Sequence, residues 1–172
     1  MTIGGRIVSA KFADAILPHL DAAYRLARWL LRDPDAAEDV VQDALVRAMT
    51  YFDHFRGENP RAWLLQIVRN TAWTARAGGR RLDQLDDEAH GKMATTAPDP
   101  EAALVQAEAA RSLTEAIAGL PADLRECLVL REIEELPYRD IAQVVGVPIG
   151  TVMSRLFRAR KLLLAGAGET VK

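Results

Sequence analysis

Between Tyr138 and Lys161 the chain reads YRDIAQVVGVPIGTVMSRLFRARK, and few folds accommodate that order of residues. Tyr138 to Val145 places Ile141, Ala142 and Val145 on one face of a short helix. Gly146 follows, where a tight turn between helices calls for a residue that tolerates positive φ. Pro148 pre-sets φ for the next helix and gives up only an N–H that would be unpaired there. Val152, Leu156, Ala159 and Leu163 then recur at spacings of 4, 3 and 4, the stripe of a helix buried along one side. The pattern predicts a helix-turn-helix.

The other face of the second helix carries the chemistry. Thr151, Ser154, Phe157, Arg158 and Lys161 point away from the apolar stripe. From Pro148 to Lys161 there are four cations (Arg155, Arg158, Arg160 and Lys161) and no acid. Hydroxyls and cations on one helix face suit phosphate and base-edge contacts in a major groove. A solvated basic face on an ordinary helical hairpin is the alternative, although such a face has little reason to expose Phe157. Arg155 and Arg160 sit nearer the stripe, where structural ion pairs would also account for them.

Composition narrows the class. The chain has 172 residues, 49% of them hydrophobic and only 6% aromatic, enough for one domain or two small ones. The single cysteine, Cys127, excludes an internal disulfide and suits a reducing compartment. No apolar run approaches the roughly 20 residues of a membrane span, and no signal peptide is expected. His19, His54 and His90 are scattered, so neither a metal site nor a catalytic constellation is expected, and no cofactor. Net charge is −2, unusual for a free-standing DNA binder. Residues 1–81 carry 12 basic and 9 acidic side chains, residues 82–110 carry 1 and 7, and residues 111–172 carry 9 and 8. Neither end is basic enough for the many phosphate contacts of tight autonomous binding, which points to DNA met with a partner's help.

The organisation is all-α: two small helical domains joined by a flexible acidic linker. Ile16, Leu20, Ala23, Ala27, Leu30 and Leu31 mark one amphipathic helix of five turns, after ten loosely tied residues. Asp33-Pro34 is a cap and an N1 proline, opening a helix to Tyr51 with Ala37, Val41, Ala44, Leu45 and Ala48 inward. Asn59-Pro60 repeats that start; Trp63, Leu64, Ile67, Val68, Thr71 and Ala75 are spaced for burial, and Gly78-Gly79 ends the helix. The N-terminal domain is therefore 1–81, the linker 82–100 and the C-terminal domain 101–172, with helices from Glu101 to Ala118 and Ala122 to Ile133 before the helix-turn-helix. No strand signal is read.

Two further faces stand out. Asp39, Gln42, Asp43 and Val46 form one outward strip at i, i+3, i+4 and i+7. Five acids and no base lie between Asp33 and Asp43; the helix dipole explains those in the first turn, and a protein-docking face explains those beyond it. From Arg69 to Arg81 there are four arginines and no acid, interleaved with Asn70, Trp73 and Thr74. That mixture suits unstacked single-stranded bases, unless Trp73 is core and the arginines merely solvated.

DAAEDVVQDALVRAM, FRGENPRAWLLQIVRN and LPADLRECLVLREIEELPYRDIAQVVGVPIGTVMSRLFRARKLL together resemble a bacterial sigma factor of the extracytoplasmic-function (ECF) class, sigma-70 superfamily. The resemblance spans about residues 12–165. It implies no enzyme but a cytoplasmic transcription initiation factor, whose partners are core RNA polymerase, promoter DNA and an anti-sigma factor. It gives Asp39, Gln42, Asp43 and Val46 to core polymerase. Phe55, Arg56, Gly57, Glu58, Asn59, Asn70, Trp73, Thr74 and Arg76 would serve the −10 element, with a base held flipped in the loop. Thr151, Ser154, Arg155, Phe157, Arg158 and Lys161 would serve the −35 element. The chain departs from the family pattern at Thr74, where an Asp is common, at Gly78-Gly79 within a usual basic cluster, and at Met153, where a cation is frequent. A free-standing helix-turn-helix regulator and a helical adaptor are the competing readings.

Overall fold

The computed structural model describes residues 2–3, 6–7, 9–79 and 100–169. The expected linker, residues 82–100, lies outside the described residues but for its last member. Eight α-helices account for most of what is described: α1 (Ala10–Ile16), α2 (Leu20–Leu31), α3 (Pro34–Tyr51), α4 (Pro60–Gly79), α5 (Pro100–Ala118), α6 (Ala122–Leu128), α7 (Tyr138–Val145) and α8 (Ile149–Glu169).

Two expectations need correction. The five-turn first helix is in fact α1, a 3-10 turn at Leu17–His19, and α2. Pro18 is the cause: without an N–H and with its ring against the preceding turn it cannot continue α1, although the apolar periodicity runs straight across it. Thr2–Ile3 also pairs antiparallel with Arg6–Ile7, a two-residue bridge where no strand was read.

The helix starts are those the caps dictate. Ser9 Oγ accepts from the Phe12 N–H at 3.2 Å. Asp33 Oδ1 accepts from the Asp35 N–H at 2.9 Å, with Pro34 in the first turn. Asn59 Oδ1 accepts from the Ala62 N–H at 3.1 Å, opening α4. Helices α2, α3 and α4 pack on one another around Phe12, Ile16, Leu26, Leu30, Leu64, Leu65 and Val68, all buried. In the C-terminal domain α6, a π turn at Val129–Ile133, α7 and α8 enclose Leu124, Leu128, Leu130, Ile141, Val152, Leu156 and Ala159. The two cores are continuous, because α7 packs on α4 and α6 on α2. Helix α5 buries no residue.

Trp63, spaced for burial, is half-buried: it packs against the core and also takes part in an aromatic cluster. Ala75, also expected inward, is exposed.

Gly146 adopts φ 71° and ψ 36°, and its N–H donates to the Ala142 carbonyl at 2.9 Å. A Cβ there would meet nothing within 4 Å, so the only cost of a side chain is the left-handed backbone. Gly146→Ala should therefore lower stability by about 1–2 kcal/mol, read as a shift in the denaturant midpoint with the slope unchanged.

Candidate nucleic-acid interface

Three surfaces contain the residues singled out by sequence. On α3 the inward stripe of Ala37, Val40, Val41, Ala44 and Ala48 is buried, leaving Asp39, Gln42, Asp43 and Val46 exposed along one strip. Asp33 already caps the Asp35 N–H, and Asp39, Gln42 and Asp43 lie beyond the first turn.

The second surface is the loop after α3 with the outer face of α4. Phe55 packs on Trp63 in a tilted pair with centroids 4.7 Å apart, and Phe52 bridges them to Phe12 at 5.3 Å. This cluster fixes the loop and leaves Arg56, Gly57 and Glu58 exposed. A Cβ on Gly57 would stand 2.9 Å from the Phe55 ring, which explains the glycine without positive φ. Asn70 and Thr74 are exposed, and the Thr74 hydroxyl donates to the Asn70 carbonyl at 3.0 Å.

Trp73 is neither core nor a free stacking platform. The guanidinium groups of Arg69 and Arg76 lie over its ring, 5.0 and 5.6 Å from the centroid. Its Nε1 donates to Glu126 Oε2 at 2.9 Å, across to the C-terminal domain. Asn59 is similarly committed, since its Nδ2 donates to Asp140 Oδ2 at 2.8 Å.

The third surface is α8. Ser154, Phe157, Arg158 and Lys161 are exposed and Thr151 is half-buried; Phe157 is 66% exposed, an unusual position for a phenyl ring. Ser154 Oγ donates to the Gly150 carbonyl at 3.0 Å, which leaves its lone pairs outward. Arg155 stands apart from this group. Its side chain is only 17% exposed and turns inward, 3.9 Å from Asp123 and 3.7 Å from Glu126. Arg160 pairs with Glu132 at 2.7 Å. Both are the structural ion pairs that proximity to the apolar stripe allowed.

Sequence reasoning missed a set of charges between the domains. Glu134 is buried and accepts from Arg25 through both oxygens, at 2.8 and 3.0 Å, and from Arg61 at 2.9 Å. Arg61 also donates to the Glu134 carbonyl at 2.7 Å. Glu126 is fully buried and takes the fork of Arg69 at 2.9 and 3.0 Å besides the Trp73 indole. The hydrogen bond to Glu134 holds the Arg25 guanidinium above its ordinary pKa. Arg125 is buried, donates to the Trp29 and Leu120 carbonyls, and has its pKa lowered to about 10, by desolvation first and then by Arg32 and Arg76. The signal available in sequence was a glutamate inside the apolar run LRECLVL, where a charge needs a partner from elsewhere.

Cys127 is buried, and desolvation raises its thiol to about 11. Among the described residues no three His, Cys, Asp or Glu side chains converge on a metal-sized site, and no helix is long and apolar enough to cross a membrane.

Comparison with known proteins accounts for both domains in order. Residues 15–81 match the family model of sigma-70 region 2, and residues 110–163 that of sigma-70 region 4. The chain is 38% identical over 134 residues to an ECF RNA polymerase sigma-E factor of Haemophilus influenzae, covering 73% of this chain and 71% of the relative. It is 39% identical over 142 residues to RNA polymerase sigma-H factor of Pseudomonas aeruginosa, covering 77% and 74%. Among solved structures, the sigma factor RpoE of Bartonella quintana, bound to the anti-sigma factor NepR, superposes with a TM-score of 0.72 at 31% identity, covering 90% of this chain and 95% of that one. CnrH in complex with the cytosolic domain of CnrY superposes at 0.63 and 26%, covering 92% and 88%.

Proposed function

This chain belongs to the ECF class of sigma-70 family RNA polymerase sigma factors, and we propose a division of labour among its three surfaces. As a sigma factor it binds core RNA polymerase and directs initiation at a subset of promoters. The exposed strip Asp39, Gln42, Asp43 and Val46 on α3 docks on the polymerase. The loop Phe55 to Asn59, with Asn70, Trp73, Thr74 and Arg76 on α4, holds the single strand of the −10 element. Thr151, Ser154, Phe157, Arg158 and Lys161 on α8 read the −35 duplex, and Arg155 supports that helix from inside through its ion pairs.

The observation that carries this reading is the exposure of α8. Val152, Leu156 and Ala159 are buried in the core, and the strip opposite them presents a phenyl ring, a hydroxyl and two cations, with Met153 exposed beside it. The weak overall charge also fits. Each domain alone makes few phosphate contacts, and polymerase, by presenting both at once, raises the effective concentration of the second contact. Sigma factors are not enzymes, and no catalytic role is assigned to any residue. The site of action is the cytoplasm, where polymerase works. The structural relatives were solved with NepR and with the cytosolic domain of CnrY. An anti-sigma factor is the regulator expected for this chain too.

The test is transcription in a purified system containing bacterial core polymerase, this protein and genomic fragments that include its own upstream region. Start sites that appear only with the protein are expected, and their shared upstream sequences give both promoter elements. Failure to bind core polymerase in a pull-down would overturn the reading.

A further inference from the structure

We propose that Glu126 and Glu134 stand in for DNA phosphates on an arginine track of the N-terminal domain, which takes the backbone of single-stranded DNA when the two domains part. The proposal rests on the reading that α4 faces the melted −10 strand. It adds Arg25, Arg61 and Arg69 as phosphate-binding residues and gives the C-terminal domain a masking role.

Arg61, Arg69, Trp73 and Arg76 are separated by 8, 4 and 3 residues, so they fall on one strip of α4. Arg61 and Arg69 lie two turns apart, about 12 Å along the axis, and Arg25 of α2 joins Arg61 at the same carboxylate. A strip of guanidinium groups around an indole is the make-up of a single-strand site, charge for the backbone and an aromatic for a base. The two carboxylates on it are held as phosphates are held, by forked arginine donors at 2.8 to 3.0 Å. Both come from the other domain, from α6 and from the end of the π turn. Asp140 of α7 adds a third acidic contact, on Asn59.

These contacts are a poor way merely to glue two domains. The Glu134 carboxylate is wholly desolvated while its partners Arg25 and Arg61 remain 45% and 33% exposed, and the equally buried Glu126 meets an Arg69 side chain that is 21% exposed. Burying a charge against a half-solvated partner recovers little, and apolar replacements of such pairs are often as stable or more so. Arg76 Nη1, on the same strip, is buried with no hydrogen-bond partner among the described residues.

The experiment measures binding of the full-length chain, without polymerase, to a fluorescein-labelled single-stranded oligodeoxythymidine by anisotropy, alongside the radius of gyration by small-angle scattering. The wild type should bind weakly. Glu126→Gln with Glu134→Gln, which keeps shape and removes the two charges, should expand the molecule and tighten binding roughly tenfold. Adding Arg69→Ala to that background should abolish the gain while the molecule stays expanded. If the double variant does not fold, Glu126→Gln alone should give a smaller shift in the same sense. Unchanged affinity in a folded variant overturns the proposal, as does a gain that survives Arg69→Ala. Promoter-specific transcription by the same variants with core polymerase separates the two claims. Transcription without any change in oligonucleotide binding removes the masked track and leaves the sigma-factor assignment standing. Absence of both transcription and core binding removes the assignment, and with it the track.

Discussion

Asp43→Arg is expected to weaken association with core polymerase by about 30-fold, or about 2 kcal/mol, and to reduce initiation at every promoter in proportion. Asp43 lies on the exposed strip of α3, back to back with Val40, Ala44 and Ala48 in the core. The substitution therefore leaves packing alone, and thermal stability should stay within about 0.5 kcal/mol of the wild type. What it reverses is a charge at the centre of a face that also presents Asp39, Gln42 and Val46. A central position matters because the water-excluded middle of an interface carries most of its binding energy. A pull-down with core polymerase at two salt concentrations checks the expectation. Wild-type retention of core polymerase would remove this face from the docking surface.

The parts of the fold legible in sequence are those where one residue type fixes one conformation. Asp33-Pro34 and Asn59-Pro60 start α3 and α4 because a short polar side chain and a proline can both be used there and nowhere further in. Gly146 turns the chain between α7 and α8 because the left-handed region is cheap only for glycine. Along α8 the stripe of Val152, Leu156 and Ala159 is buried as its spacing requires, so the exposed face opposite it followed directly.

Periodicity failed at Pro18, because it registers which positions are apolar and not whether a hydrogen bond is missing. It overshot at Ala75, which is exposed, and Trp63 is half-buried, packed against the core and against Phe55. The interdomain charges could not be read by any local rule. Arg25 and Glu134 are 109 residues apart, and Arg69 and Glu126 are 57 apart. A basic strip on α4 and an acid within LRECLVL were each visible, but only the packing of one domain on the other joins them. For the same reason Trp73 looked like an open choice between core and base-stacking residue, when in the closed molecule it is an indole donor to the other domain.

Arg158→Ala should act on DNA alone. The side chain is exposed on α8 between Ser154 and Lys161, on the face opposite Val152 and Leu156. Removing a cation that contacts a base edge or a phosphate costs about 1–3 kcal/mol, or about 5- to 150-fold in promoter occupancy. Core association should be unchanged, since nothing on this strip belongs to α3. Arg155→Ala is the informative contrast. It removes a guanidinium that faces Asp123 and Glu126, so its effect should pass through the packing of α8 on α6 and appear as lost stability before lost promoter binding. Run side by side in the purified transcription assay and in denaturant melts, the two arginines should separate cleanly. Arg158→Ala loses transcripts from the −35-dependent promoter and keeps its melting curve. If Arg158→Ala instead released core polymerase, the −35 face would have to be moved off α8. If both variants lost transcripts equally with unchanged melts, Arg155 would have to swing outward on DNA, and Glu126 would be left to Arg69 and Trp73 alone.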